Sequence, residues 1–171
     1  NSVVARNLNT RTQIILIIIF GALALYGTYS GVKTTGAIAN IRNLGPMVAG
    51  LLGGPWVGLG AGLIGGVHRY FLGGFTAVPC AIGTVLSGLA AGIFYAVLKG
   101  NIGVWKPILL AFIIEVMDMA LILLIARTFS DAVDLVKIIA MPMILGDTIG
   151  VAVFAYMLSN MFSDRKANGL L

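Results

Sequence analysis

The chain has 171 residues, 59% hydrophobic and 10% charged, with a formal net charge of +5 and a mean hydropathy of +1.03. Soluble domains carry roughly 25% charged residues, so this composition excludes a water-soluble globular domain and indicates an integral membrane protein. Its basic residues stand singly between apolar runs, which leaves no stripe for nucleic acid. One cysteine and one histidine exclude an internal disulfide framework and weigh against a protein-only metal site, and no cofactor is expected.

The opening "NSVVARNLNTRT" is too polar for a signal peptide. Its start at Asn1 rather than Met is expected to mark a fragment or processed chain. Residues 1–11 are expected to form a cytoplasmic flank. Six apolar segments follow, at about 12–32, 37–53, 55–73, 76–98, 106–128 and 137–162. They predict an all-α integral membrane bundle of about six transmembrane segments over 12–162. A span needs about 20 residues, so segments two and three, both glycine-rich, are short.

Segment two, opening "NIRNLGP", carries Asn40, Arg42 and Asn43 ahead of Pro46. Its apolar part is too short to cross alone, which predicts a tilted, broken or re-entrant helix facing protein or a water-filled cavity. Gly50, Gly54, Gly58, Gly62 and Gly66 recur every four residues across segments two and three, a spacing that suits close helix packing. "GLGAGLIGG" follows no strand and so is not a dinucleotide fingerprint. In segment six, Pro142 and Gly146 predict a kink beside Asp147 and a possible transmission element. "SDRKANGLL", residues 163–171, reads as a cytoplasmic linker toward a signalling domain beyond this chain or as an artificial end.

With six crossings, Arg6, Arg11, Lys99, Lys106, Arg165 and Lys166 share one side. Lys33, Arg127 and Lys137 lie opposite, joined by Arg42 and Arg69. The positive-inside rule then places both termini in the cytoplasm. It also places Arg42, Arg69 and Cys80 at a common depth toward the outer face.

An arginine at the centre of a bilayer costs about 2.5–3.5 kcal/mol on insertion scales, so each needs a partner, a cavity or an interface. Arg42 and Arg69 converging on a glycine-lined cavity make a fork for a small anion. The bland alternative is that Arg69 and Tyr70 snorkel within an aromatic belt. Cys80 and Thr84 stand one turn apart with Ser87 following, a weakly polar wall for the remainder of a ligand. Asn40 joins this candidate binding set, and His68 is expected to be interfacial. Glu115 and Asp118, three apart on segment five, and Asp147 on segment six are functional candidates as intramembrane carboxylates. They are read as neutralising an arginine, as protonated and structural, or as a proton relay.

From "GTYSGV" through "GAIANIRNLGPMVAGLLGGPWVGLGAGLIGG" to "HRYFLGGFTA", Cys80 and beyond, the chain resembles the membrane-sensing region of LytS-type bacterial sensor histidine kinases. The resemblance implies an extracytoplasmic receptor for small carboxylates such as pyruvate, with Arg42, Arg69 and Cys80 as binding positions. It also implies a cytoplasmic-membrane location, a homodimeric full-length kinase and a response-regulator partner. Family members often carry Ser where this chain has Gly83, followed here by Thr84. No segment resembles a phosphoacceptor region or nucleotide-binding lobe, so the fragment itself is read as non-enzymatic. Two rival readings are a substrate-capturing subunit of a vitamin transporter, a class similar in its six helices and short early pair, and an ion-coupled carrier. The first lacks an Ala-x-x-x-Ala docking pattern in segment one, and the second lacks an inverted repeat.

Overall fold

A computed structural model of the protein describes residues 8–34, 37–98 and 103–167. Its elements in chain order are α1 (Thr10–Tyr29), β1 (Val32–Thr34), β2 (Ala37–Ala39), α2 (Leu44–Gly53), α3 (Pro55–Phe71), α4 (Ala77–Val97), α5 (Trp105–Ile125) and α6 (Phe129–Ala167). Four of these helices, α1, α4, α5 and α6, are long and apolar enough to cross a membrane. The Asn9 side chain caps α1 by accepting from the Arg11 backbone N–H at 3.5 Å. Of the charges used to orient the chain, Arg6 and Lys99 lie outside the described residues.

Glycine contacts give the direction of each helix. Gly21 faces Ile64 and Gly60 faces Ile17, so α1 and α3 run parallel. Gly66 meets Ala81, Gly62 meets Thr84 and Val85, and Gly58 meets Gly88, so α4 returns antiparallel to α3. α2 runs with α4, since Pro46 lies at Gly88 and Gly50 at Gly88 and Gly92. Cys80 clusters with Met119 and Ile122, and Ala91 clusters with Ala111 and Ile114, so α5 reverses α4. α6 reverses α5 in turn, with Leu135 in the Ile122 cluster and Val151 in the Ala111 cluster. The first turn of α1 and the last of α6 therefore emerge at the same end of the bundle.

The expectation for segment two takes the form of a half-helix. α2 has ten residues, and its first turn starts inside the bundle: Gly45 lies against the Phe20 carbonyl and the Ala24 N–H. α1 runs five residues past Ala24, about 7 Å further at 1.5 Å per residue. The chain descends to that depth through an antiparallel β1–β2 hairpin pairing Val32 with Ala39 and Thr34 with Ala37. This short sheet lies in the connection between α1 and α2, and the membrane bundle itself is all helical, as expected. The physical reason for the sheet is that an extended entry into an apolar region must pair its backbone groups locally. Gly54, at φ 82°, lies in the left-handed region open to glycine, and there the chain turns from α2 into α3.

Segment six also differs from expectation. α6 begins at Phe129 rather than near 137, and it holds Pro142 within the helix, at the position where a kink is expected. Asp131, Asp134 and Lys137 lower the hydropathy of its first turns, but Ala132, Leu135 and Ile139 are buried at helical spacing, and that stripe extends the helix.

The bundle is apolar outside and polar within. Ile14, Ile18, Leu109, Leu124, Ile149 and Val153 are exposed, whereas Arg42, Asn43, Glu115, Asp118 and Asp147 are each at most 1% exposed. This inversion fits a lipid-facing surface. Trp56 and Trp105 mark one end, Tyr29 and Tyr70 the other, all of them exposed, in the manner of interfacial aromatic belts.

The tightest approach of backbone to backbone lies between α3 and α4, where a Cβ at Gly58 or Gly88 would strike the other glycine's carbonyl. Backbone cannot yield as a side chain does, so Gly58→Ala and Gly88→Ala are each expected to destabilise the protein by about 1–3 kcal/mol. Thermal unfolding in detergent reads this as a drop in Tm for both variants.

Candidate functional site

Five elements, α2 to α6, deliver polar side chains to one buried centre near the hairpin end of the bundle. Asn40 Oδ1 accepts from the Arg42 backbone N–H at 3.1 Å, fixing the turn that leads into α2. Gly27 of α1 admits this turn, because a Cβ there would stand 3.0 Å from the Ile41 carbonyl. The Arg42 Nε donates to Thr84 Oγ1 at 2.7 Å. Its Nη1 and Nη2 are buried and have no hydrogen-bond partner among the described residues.

Asn43 links the centre to the far helices. Its Nδ2 donates to Glu115 Oε1 at 2.9 Å and to Asp118 Oδ2 at 3.3 Å. Thr84 Oγ1 lies 2.9 Å from both Asn43 Oδ1 and the Cys80 carbonyl, and its one hydroxyl hydrogen can serve either. Asp147 of α6 sits against Glu115 and against the Leu44 backbone at the start of α2. A carboxylate there faces the positive end of the half-helix dipole.

Arg69 lies beside this network. It is 4% exposed, with Nη1 donating to the Gly73 carbonyl at 2.7 Å and Nη2 to Thr76 Oγ1 at 2.8 Å. It therefore closes the α3–α4 loop from within, and the snorkelling alternative does not hold. Tyr70 alone takes the exposed position. The Cys80 thiol, unbridged and buried, lies beside Arg69 and Thr76. Arg42, Arg69 and Asp118 are near enough to interact electrostatically.

The expected set is thus largely brought together: Arg42, Arg69, Cys80 and Thr84 share the first turns of α4, with Glu115, Asp118 and Asp147 beneath. Asn40 holds the backbone of Arg42. Ser87 stands apart, donating to the Thr84 carbonyl of its own helix at 2.8 Å. His68 pairs with Tyr29 Oη at 3.0 Å, away from the charged centre. Among the described residues neither arginine forms an ion pair; Lys137 and Asp134 do, at 3.0 Å on the surface. Of the three carboxylates, Glu115 and Asp118 share the Asn43 amide. A groove of about 500 Å³ lies elsewhere, between Gly66, Tyr70, Ala81 and Val85 on the outer face of α3 and α4, and its lining is apolar.

Sequence reasoning missed Asn43 as the hub and Thr76 as the partner of Arg69. The available signal for Asn43 was a carboxamide opening an apolar half-helix, where a polar group needs buried partners. Gly83 also changes meaning. A Cβ at Gly83 would fall on the Asp118 carboxylate, so the missing side chain makes room for an acidic group from α5.

The fold and centre define a multi-pass membrane bundle with a buried, mixed-charge core. The chain matches the family model described as 5TMR of 5TMR-LYT over residues 1–161, and it belongs to that family. It is 43% identical over 143 residues to the sensor histidine kinase BtsS of Escherichia coli K12, covering 80% of this chain and 26% of that protein. It is 39% identical over 155 residues to the sensor protein LytS of Bacillus anthracis, covering 79% and 26%. With the LytS of Bacillus subtilis the identity is 37% over 159 residues, covering 82% and 27%. The chain thus spans about a quarter of the length of these relatives. No solved structure matches it.

The Gly83 contact is open to test. A methyl there forces Asp118 away from Asn43, so Gly83→Ala is expected to destabilise by about 1–3 kcal/mol, the scale of a lost hydrogen bond to a charged group. In a double-mutant cycle with Asp118→Ala the two losses should be less than additive by about 1 kcal/mol. Chemical or thermal unfolding of the four proteins checks both.

Proposed function

We propose that this chain is the receptor region of a membrane sensor histidine kinase and binds a small carboxylate such as pyruvate at Arg42 and Arg69. The observation that carries this reading is the Arg42 guanidinium, 1% exposed, held at Nε by Thr84 with both Nη groups unpartnered among the described residues. A planar fork of free N–H donors in a buried setting suits a carboxylate, which accepts two parallel charge-assisted bonds. Cys80 and Thr84 would border the remainder of the ligand, and Asn40 would serve by positioning Arg42.

In this proposal the hairpin end of the bundle faces outward and both chain ends face the cytoplasm. Residues 1–11 then form a cytoplasmic flank, 12–162 the sensor and 163–171 a link to a signalling domain that acts as a dimer on a response regulator. The ligand signals through its differential affinity for two arrangements of the helices. The path runs from Arg42 through Thr84, Asn43 and Glu115 to Asp147, and along the second half of α6, which runs on from the site to Ala167.

Calorimetric titration of pyruvate into the purified chain in detergent tests the pocket. Saturable binding is expected, with Arg42→Ala and Arg69→Ala each weakening it about 30-fold or more, the effect of removing about 2 kcal/mol of buried charge pairing. Arg42→Lys keeps the charge but not the fork, and is expected to recover only part of the loss. If folded wild-type protein binds neither pyruvate nor lactate, acetate or malate, the carboxylate reading falls.

A further inference from the structure

The charges of the buried centre do not balance. Arg42 and Arg69 bring two positive groups, and Glu115, Asp118 and Asp147 bring three carboxyls, all 4% exposed or less. Five of the six helices contribute: Arg42 and the neutral Asn43 from the start of α2, Arg69 from α3, the Cys80 thiol from α4, Glu115 and Asp118 from α5, and Asp147 from α6. The described part of α1 brings Tyr29 to this end of the bundle, and it pairs with His68 outside the centre.

Hydrogen bonding points to where protons reside. One Asn43 amide serves Glu115 Oε1 and Asp118 Oδ2. Glu115 Oε2, Asp118 Oδ1 and both oxygens of Asp147 are buried without a donor among the described residues. Glu115 and Asp147 are close neighbours, and two adjacent buried carboxyls without a donor between them repel unless one carries a proton. Uncompensated charge in such an interior costs several kcal/mol, so the centre is driven toward neutrality. Two cations against three carboxyls are neutral with one proton bound. A carboxylate ligand adds a negative charge and restores the imbalance.

We infer that the Glu115–Asp118–Asp147 centre is a proton-binding site, holding one proton in the ligand-free protein and taking up a second, from solvent, with each carboxylate bound at Arg42. This rests on the ligand reading above and adds its coupling: the receptor responds to carboxylate and proton together. Binding therefore strengthens as pH falls. Uptake of one proton per ligand raises Kd about tenfold for each unit of pH increase through the range where the second site titrates.

The neutrality count also predicts the variants. Asp118→Asn or Glu115→Gln alone removes one negative charge and leaves proton uptake in place, because the ligand still unbalances the centre. With both substitutions together, two arginines face Asp147 and the ligand, the bound state is neutral without added protons, and uptake vanishes.

The experiment is calorimetry of pyruvate binding to the full chain in detergent, at fixed pH, in buffers of different ionisation enthalpy. The slope of observed heat against buffer enthalpy counts the protons taken up. About one proton for the wild type, and none for the double variant Glu115→Gln with Asp118→Asn, supports the inference. Binding with no buffer dependence across pH 5–8, a range chosen to bracket ordinary pH-sensing groups, overturns it while leaving the carboxylate reading intact. Uptake that persists in the double variant and disappears in His68→Gln also overturns it, by assigning the proton to the His68–Tyr29 pair. Absence of pyruvate binding at every pH instead overturns the reading on which it rests.

Discussion

The amide of Asn43 is the interaction on which the centre depends. Two acidic side chains from α5 reach it, Thr84 of α4 approaches its oxygen, and the residue itself begins α2. In a bundle whose outer surface is Ile, Leu, Val and aromatic, a buried carboxyl without a donor is strongly destabilising, and one without any polar neighbour is untenable. A carboxamide offers two donors and an acceptor on one short side chain. It thereby joins three helices that would otherwise meet through unsatisfied oxygens.

The half-helix places that amide at depth. A full span would put its polar first turn at the membrane surface, whereas α2 begins level with Ala24 and delivers Arg42 and Asn43 into the interior. Glycines make this compatible with tight packing. Gly27 lets the Ile41–Arg42 backbone pass α1, Gly50 and Gly58 bring α2 and α3 onto the backbone of α4, and Gly83 clears space for Asp118. The small residues serve packing first, and the buried site exists because that packing draws five elements together.

Membership of the 5TMR-LYT family and kinship with sensor proteins fit a core of this kind. Gly83 has a local reason here, because the space a side chain would fill is taken by the Asp118 carboxylate from the neighbouring helix.

Much of the architecture was legible in the chain. Hydropathy located six segments, with four near their observed bounds, because the partition of apolar side chains into lipid is a property of short windows. The brevity of segment two, the four-residue glycine period and the rarity of intramembrane charge marked Arg42, Arg69, Glu115, Asp118 and Asp147 for the same reason. The early start of α6 and the β1–β2 hairpin escaped, since polar residues on one helix face lower a hydropathy average, and pairing of two short strands carries little signal in composition. What tertiary structure alone decided is which groups meet. Arg69 turns inward to Gly73 and Thr76, Ser87 bonds to its own helix, and Asn43 unites residues 72 and 75 positions away. Sequence sets which side chains a membrane cannot leave unpaired; the crossing of the helices selects their partners, because hydrogen bonds depend on distances that no local window contains.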